Sequence, residues 1–336
     1  MTVSGPVAVL GCGSWGTALA IHLGRCGREV RLWGRDAALV RQMAARRCNE
    51  VYLAGVELTR SVHPTVVLED AVDGAVYVVA AVPSHGARQV LRRAAPHVRS
   101  DATVISAAKG IEDGTLLRMS EVMAEEVGGA RPVTVLSGPS FAAEVARGVP
   151  TAVVVAGRRA EAVAAVQQDF RSDRLRLYAS DDVVGVEIGG AMKNVIAIAA
   201  GGIESLGLGH NAIAALVTRG LAEISRLAYA LGGRRDTLAG LSGLGDLVLT
   251  CTGGLSRNRQ LGIELGKGRS LDEVLGGMRM VAEGVRTTQA ALHLGARQGV
   301  ELPITSQMAE VIAGRKTPRA AVEELMLRRQ RSELDE

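Results

Sequence analysis

Aromatic residues and lysines are scarce in this chain of 336 residues. Aromatics make up 2% of it, so the hydrophobic core must be built from aliphatic side chains. Only four lysines stand beside thirty-five arginines: Lys109, Lys193, Lys267 and Lys316. Arginine cannot exchange its proton near neutral pH, so we expect a lysine to remain where a deprotonatable amine is needed. A codon bias would instead leave the lysines at random positions.

Cysteine pairs and long apolar runs are also missing. The four cysteines form no Cys-x-x-Cys pair and have no histidine-rich surroundings, which disfavours a metal site and a disulfide framework. The formal net charge of +4 is modest and the basic residues are scattered, so no nucleic-acid partner is expected, although a local site for an anionic ligand stays open. We find no run of 18 apolar residues and no signal-peptide pattern, which predicts a cytoplasmic protein without membrane insertion.

The chain is long for a single core, which favours two domains. Apolar runs typical of buried parallel strands fill the first half, at residues 6–10, 29–33, 75–82, 103–107, 133–136 and 151–155, with a last strand at 174–178. Helical patterns fill the second half, at 183–204, 211–231, 257–267, 271–275, 287–298 and 306–313. The sequence therefore predicts an α/β fold, with a Rossmann-type doubly wound sheet in residues 1–182 and an all-α domain in residues 183–336.

A glycine-rich motif follows the first predicted strand and opens a helix. Gly11, Gly13 and Gly16 have the GxGxxG spacing, and a second strand ends about 20 residues later, the context of a dinucleotide-binding loop. Gly11 permits the tight turn, Gly13 lets the backbone approach a pyrophosphate, and Gly16 lets helix and strand pack closely. The alternative is a glycine-rich turn in an α/β domain that binds no ligand.

The residues after the second strand bear on the cofactor. Sites selective for NAD usually place an acidic residue there, whereas an arginine can bind the 2′-phosphate of NADP. This chain has Arg35 followed by Asp36. This order favours NADP(H) as the cofactor, although NAD(H) is still possible. The alternative is that Arg35 is an ordinary surface cation.

Lys109 follows the strand predicted at 103–107. Ligands of open α/β sheets bind at the carboxyl ends of the strands. We therefore expect Lys109 to meet an anionic ligand or the cofactor rather than bulk solvent.

A second lysine lies on an unusually bare helix face. Val186, Gly189, Gly190, Lys193, Ala197, Ala200 and Gly201 share this face, while Ile188 and Val195 belong to an ordinary core face. Each glycine inside a helix lowers its stability by about 1 kcal/mol relative to alanine. We therefore expect these glycines to be needed for another group to approach the backbone near Lys193 closely. A ligand and a tightly packed neighbouring helix are both candidates.

Two polar features lie in the second half of the chain. Asp246 stands among apolar and glycine residues, where an unpaired carboxylate would be costly, and Lys193 is a suitable partner. Ser256 can cap a helix that begins with Arg257 and Asn258, which combines helix N–H groups, a guanidinium and an amide into an anion site. The alternatives are a surface helix with an ordinary cap and an aspartate that caps a turn.

Taken together, the motifs resemble the bacterial NAD(P)-dependent sn-glycerol-3-phosphate dehydrogenase family. The resemblance spans nearly the whole chain and rests on Gly11-Cys12-Gly13-Ser14-Trp15-Gly16-Thr17-Ala18, Ala108-Lys109-Gly110-Ile111-Glu112, Ser137-Gly138-Pro139-Ser140-Phe141-Ala142, Gly190-Ala191-Met192-Lys193-Asn194, Gly245-Asp246-Leu247 with Thr250-Cys251, and Ser256-Arg257-Asn258. It implies a homodimer that reversibly reduces dihydroxyacetone phosphate, a small phosphorylated triose, to sn-glycerol 3-phosphate for phospholipid synthesis.

The resemblance also implies roles for individual residues. Lys193 corresponds to the acid and base that serves the C2 oxygen, with Asp246 as its hydrogen-bonding partner. Substrate contacts are implied for Lys109, Gly138, Ser140, Lys193, Asp246, Ser256, Arg257 and Asn258. Cofactor contacts are implied for Ser14, Trp15, Arg35, Lys109, Ala142, Arg257, Val281 and Glu283, beside the loop glycines Gly11, Gly13 and Gly16. With these residues added, we expect Gly189 and Gly190 to make room for substrate and nicotinamide beside Lys193.

Two other functions fit parts of the pattern. A different dehydrogenase of 2-hydroxy or 3-hydroxy acids would also pair a Rossmann domain with a helix carrying lysine and asparagine. A redox-sensing protein that binds NADPH as a signal would need a DNA- or partner-binding module, and the sequence contains no helix-turn-helix pattern or basic arm. The family resemblance favours the glycerol-3-phosphate dehydrogenase.

Overall fold

The computed structural model describes residues 4–277, 282–330 and 332–333. The chain divides into two compact units. Unit 1 comprises Met1–Lys109 and Leu117–Val183, and unit 2 comprises Gly110–Leu116 and Val184–Glu336. Each unit has its own hydrophobic core.

Unit 1 contains ten strands and seven α-helices in its described residues. In chain order the strands are β1 (Val7–Leu10), β2 (Val30–Trp33), β3 (Cys48–Asn49), β4 (Leu53–Glu57), β5 (Val62–Thr65), β6 (Tyr77–Ala80), β7 (Thr103–Ser106), β8 (Val133–Ser137), β9 (Thr151–Gly157) and β10 (Leu175–Ser180). The helices are α1 (Ser14–Arg25), α2 (Ala37–Arg46), α3 (Leu68–Val72), α4 (Ser84–Ala94), α5 (Met119–Val127), α6 (Ala142–Arg147) and α7 (Ala160–Phe170).

Eight of the strands form one sheet, in the order β10-β9-β8-β7-β6-β1-β2-β5. Strands β5, β2, β1, β6, β7 and β8 are parallel to one another, so their carboxyl ends lie along one edge. Strand β9 is antiparallel to β8, and β10 is parallel to β9. The prediction that residues 151–155 continue the parallel set is therefore wrong. A buried strand is apolar along its whole length in either direction, so composition does not reveal its orientation.

Alternate residues of the central strands pack on opposite faces of the sheet. Val7 and Val9 of β1 belong to one apolar cluster, whereas Ala8 and Leu10 belong to the other. Helices α1 and α7 cover the first face, and α4 and α5 cover the second. Helices on both faces of a mainly parallel sheet confirm the predicted doubly wound fold.

The sequence patterns missed three strands of unit 1. β3 and β4 form a short antiparallel hairpin with an irregular register. β5 is an edge strand that contains His63 and Pro64. Proline is tolerated at an edge because no ladder hydrogen bond is needed on the outer side. Short polar strands of this kind lack the apolar run on which the prediction relied.

The described residues of unit 2 contain no strand. Its helices are α8 (Val183–Ser205), α9 (Gly209–Ala230), α10 (Arg235–Leu238), α11 (Asp246–Thr252), α12 (Arg257–Gly266), α13 (Leu271–Gly277), α14 (Glu283–Gln298), α15 (Pro303–Ile312) and α16 (Pro318–Met326). A π-helical turn at Leu241–Gly245 precedes α11. The predicted helical second half is confirmed, although α10, α11 and α16 were missed.

Helix α8 is the central helix of unit 2. It is long and apolar enough to span a membrane, but 94% of its most apolar 18-residue window is buried in the protein. Its side chains contribute heavily to the core of unit 2. Burial of this kind is typical of a core helix.

The glycines of α8 allow its backbone to pack against neighbouring backbones. A Cβ on Gly189 would lie 2.7 Å from the carbonyl oxygen of Ser242. A Cβ on Gly201 would lie 2.7 Å from the backbone nitrogen of Ile263 in α12. Our expectation that Gly189 and Gly190 make room for substrate and nicotinamide is therefore wrong at Gly189, where the turn before α11 occupies that space. The close approach comes from other parts of the same unit.

The crossing of α8 and α12 yields a stability prediction. A methyl group on Gly262 would collide with the carbonyl of Ile198, so Gly262→Ala should destabilise the protein by about 1–3 kcal/mol through overpacking. Gly276→Ala is the control, because a Cβ there meets no atom within 4 Å. It should change stability by less than about 1 kcal/mol. Urea unfolding followed by circular dichroism measures both effects, and equal stabilities for the two variants would contradict the packing assignment.

Candidate active site

The glycine loop, residues 11–16, connects β1 to α1 in unit 1. Gly11 has φ +111°, and a Cβ there would lie 2.8 Å from the carbonyl oxygen of Ala81. A Cβ on Gly16 would collide with the carbonyl of Gly11, so helix and strand pack closely at this point. Gly13 is different, because a Cβ there would meet no atom within 4 Å. Its backbone faces open space, as close approach of a ligand requires.

Two further observations at this loop fit a bound dinucleotide. Gly13 precedes α1 without a capping side chain, so the helix begins with N–H groups suited to phosphate. The indole Nε1 of Trp15 is buried and has no hydrogen-bond partner among the described residues. A buried donor without a partner is unusual in a native protein and points to a ligand or water.

Arg35 and Asp36 have separate tasks after β2. The Asp36 carboxylate caps α2 by accepting hydrogen bonds from the backbone N–H groups of Ala38 at 2.9 Å and Leu39 at 3.1 Å. The Arg35 side chain is exposed and has no hydrogen bond or ion pair with another described residue. Arg35 is therefore accessible to a phosphate, while Asp36 stabilises the start of α2.

The predicted residues Lys109, Gly138 and Ser140 meet beyond the carboxyl ends of β7 and β8. The Lys109 ammonium donates to the carbonyl oxygen of Gly138 at 2.8 Å, and the Ser140 hydroxyl donates to the same oxygen at 2.9 Å. Gly138 has φ +128°, and a Cβ there would lie 3.1 Å from the Cα of Val153 in β9. This turn therefore requires glycine and places a cation at the ligand-binding edge of the sheet.

The second lysine lies in unit 2 and is paired as the sequence suggested. Lys193 of α8 donates to Oδ1 of Asp246, the first residue of α11, at 2.5 Å. Lys193 is 8% exposed and Asp246 is fully buried. Opposite charges at this distance compensate each other where water cannot.

Thr250 completes this cluster and was not among the predicted site residues. The Lys193 ammonium donates to its hydroxyl oxygen at 2.8 Å, and the hydroxyl donates to the backbone carbonyl of Asp246 at 2.6 Å. Thr250 lies four residues after Asp246, so both side chains share one face of α11. That spacing is a signal from which Thr250 could have been found.

The predicted anion site is built around the start of α12. The Ser256 hydroxyl caps the helix by accepting a hydrogen bond from the N–H of Arg259 at 3.2 Å. Arg257 is exposed in the first turn. Asn258 is buried, donates to Oδ1 of Asn194 at 2.9 Å and accepts from the N–H of Gly284 at 3.0 Å. Asn258 thus joins the amino ends of α12 and α14 to the residue beside Lys193.

The remaining predicted contacts are at helix starts or outside the described residues. Ala142 begins α6 in unit 1, and Glu283 begins α14 in unit 2. Val281 lies outside the described residues. No group of three or more potential metal ligands occurs among the described residues.

A doubly wound unit with a glycine loop and a helical unit with a buried lysine–aspartate pair define an NAD(P)-dependent dehydrogenase. Residues 6–163 match the family model for the N-terminus of NAD-dependent glycerol-3-phosphate dehydrogenase, and residues 182–323 match the model for its C-terminus. The chain therefore belongs to the NAD-dependent glycerol-3-phosphate dehydrogenase family, which confirms the resemblance inferred from the motifs.

Individual relatives and a solved structure agree with this membership. Glycerol-3-phosphate dehydrogenase [NAD(P)+] of Koribacter versatilis is 53% identical over 327 residues, covering 96% of this chain and 97% of the relative. The enzyme of the same name from Geobacter sulfurreducens is 51% identical, covering 96% and 97%. The crystal structure of glycerol-3-phosphate dehydrogenase from Coxiella burnetii has a TM-score of 0.93 at 38% identity, covering 97% of this chain and 99% of that one.

The buried ion pair predicts strong energetic coupling between its members. Asp246→Leu should destabilise the protein by about 3–5 kcal/mol, because the Lys193 ammonium loses its carboxylate in a buried place. Adding Lys193→Met should recover much of that loss, since no buried charge is then left uncompensated. Urea unfolding of the wild type, both single variants and the double variant measures the coupling. Additive losses in the double variant would show that the two groups do not depend on each other.

Proposed function

We propose that this chain catalyses the reversible reduction of dihydroxyacetone phosphate to sn-glycerol 3-phosphate with NADPH, and less readily with NADH. The product would supply phospholipid synthesis. The buried cluster of Lys193, Asp246 and Thr250 is the observation that carries the proposal, in a chain of this family. We assign dinucleotide binding to residues 1–182 and substrate binding with proton transfer to residues 183–336.

The glycine loop and the start of α1 would hold the pyrophosphate of the cofactor. Gly13 leaves space for it, and Ser14 and Trp15 open the helix whose N–H groups attract phosphate. Arg35 would bind the 2′-phosphate, which is the basis for preferring NADPH. We also propose Lys109, Ala142, Arg257, Val281 and Glu283 as cofactor contacts. When bound, the cofactor supplies the hydride for the ketone carbon.

Lys193 would supply the proton in this reaction. Reduction leaves negative charge on the C2 oxygen of the substrate, and an ammonium group can both stabilise that charge and protonate it. Asp246 and Thr250 hold the Lys193 nitrogen in place through hydrogen bonds. In the reverse direction the neutral amine would accept the proton of the C2 hydroxyl.

The phosphate of the substrate would bind at the start of α12. Backbone N–H groups of the first turn, the guanidinium of Arg257 and the N–H of the Asn258 amide that does not bind Asn194 would offer donors for an anion. Anchoring the phosphate would fix the distance to the reacting carbon, which is how remote binding contributes to rate. Lys109, Gly138 and Ser140 are proposed as further substrate contacts.

The setting of the enzyme is proposed on the same basis. We propose that it works in the cytoplasm as a homodimer, without inserting into membranes and without a nucleic-acid partner. The modest net charge of +4 supports the absence of a nucleic-acid partner, and the burial of α8 supports the absence of membrane insertion. The cytoplasmic location and the homodimer are proposed from the family.

The proton-transfer role of Lys193 predicts a selective loss of turnover. Lys193→Ala should lower kcat by roughly two or more orders of magnitude, because the general acid is removed, while NADPH binding is retained. Lys193→Arg should also be nearly inactive, because arginine keeps the charge but does not release a proton near neutral pH. Steady-state kinetics and calorimetric titration with NADPH measure the two properties.

Lys267→Ala is the control for these variants. Its ammonium is exposed and pairs with Glu264 on the surface of α12, so kcat should stay at the wild-type value. Full turnover in Lys193→Ala would remove Lys193 from the mechanism. Full turnover in Lys193→Arg would leave only an electrostatic role.

A further inference from the structure

Asn49 is a fully buried amide in the hairpin of unit 1, outside every motif named above. Its Nδ2 donates to the backbone carbonyl of Cys12 at 2.8 Å and to the hydroxyl oxygen of Thr17 at 2.8 Å. Its Oδ1 accepts a hydrogen bond from the N–H of Tyr52 at 3.0 Å. The side chain therefore joins the hairpin to the glycine loop and to the first turn of α1.

The partners determine which way the amide points. A backbone carbonyl can only accept and a backbone N–H can only donate. The nitrogen of Asn49 must therefore face Cys12 and the oxygen must face Tyr52. Thr17 strengthens the contact, because its own hydroxyl also lies 3.3 Å from the carbonyl of Cys12 as a donor. The Cys12 carbonyl thus receives two side-chain donors in the interior.

Cys12 lies between two glycines, the residue type with the greatest backbone freedom. Gly11 and Gly13 flank Cys12, and glycine samples far more backbone conformations than other residues. A loop with such freedom would lose entropy when it orders around a ligand. Hydrogen bonds from Asn49 and Thr17 restrict the peptide between the glycines before any ligand arrives.

Cys12 also packs against the segment that carries Arg35, the predicted ligand of the 2′-phosphate. A Cβ on Gly34 would collide with the sulfur of Cys12, so the Cys12 side chain packs directly against the residue before Arg35. The position of Cys12 therefore affects both the loop and the start of the segment that carries Arg35.

We propose that Asn49 is a positioning residue for the dinucleotide, holding Cys12 so that the glycine loop is ordered before the cofactor binds. The inference rests on the proposed function, because it assigns Asn49 to the cofactor site proposed there. A purely structural alternative is that Asn49 only fastens the hairpin through Tyr52.

Two variants separate these roles. Asn49→Leu removes all three hydrogen bonds of the amide, and Thr17→Val removes the second donor to Cys12 while leaving the contact between Asn49 and Tyr52 in place. Calorimetric titration of the substrate-free protein with NADPH should show a Kd raised about tenfold in Asn49→Leu and about threefold in Thr17→Val. At saturating NADPH, kcat and the KM for dihydroxyacetone phosphate should match the wild type.

Tyr77→Phe is the matched control. Its hydroxyl donates to Asp169 at 2.8 Å in the core of unit 1, and Tyr77 pairs with Val7 at the end of β1 away from the glycine loop. Its loss should lower thermal stability but leave the Kd for NADPH unchanged.

Each outcome of the titrations has a definite meaning. A raised Kd in both Asn49→Leu and Thr17→Val supports the inference. A wild-type Kd in either variant overturns it, and so does an equal rise in Tyr77→Phe. If Asn49→Leu does not fold, Thr17→Val decides alone by the same criterion. A wild-type protein that binds neither NADPH nor NADH would instead overturn the proposed function.

Discussion

An ammonium ion inside a protein must be compensated, and the helical unit is organised around that requirement. Lys193 reaches a carboxylate and a hydroxyl that both stand on one face of α11. Close packing brings these groups together, because the glycines of α8 allow the turn before α11 and the helix α12 to approach its backbone. The glycine face and the buried charge are therefore parts of one arrangement. Packing determines where the Lys193 ammonium lies.

The doubly wound unit meets a related requirement by different means. Its glycine loop needs backbone freedom to turn sharply and to let a phosphate approach, yet a disordered loop would bind weakly. Buried side chains distant in sequence supply the missing restraint, since Asn49 holds the carbonyl of Cys12 from 37 positions away. In both units, buried hydrogen bonds restrict a group that would otherwise be mobile. That group is the Lys193 ammonium in the helical unit and the glycine loop in the doubly wound unit.

Local motifs and one long-range charge pair could be predicted from the sequence of this chain, whereas strand direction and backbone packing could not. The GxGxxG spacing, the cap at Ser256 and the pairing of Lys193 with Asp246 follow from residue type and chemistry. The antiparallel direction of β9 and the contacts of Gly189 depend on neighbours that no local pattern specifies. Thr250 could have been predicted, because it lies four residues after Asp246 on the same helix. Asn49 could not have been predicted, because a lone asparagine in a polar hairpin carries no signal until its partners are known.

The function proposed for this chain is the reduction of a phosphorylated ketone with a nicotinamide cofactor. The most direct measurement follows the absorbance of NADPH and of NADH side by side, with dihydroxyacetone phosphate as the substrate of the wild-type protein. Both cofactors should be oxidised in proportion to the sn-glycerol 3-phosphate formed, with the higher kcat/KM for NADPH. No oxidation of either cofactor with dihydroxyacetone phosphate, together with reduction of NADP⁺ or NAD⁺ by a 3-hydroxy acid, would contradict it.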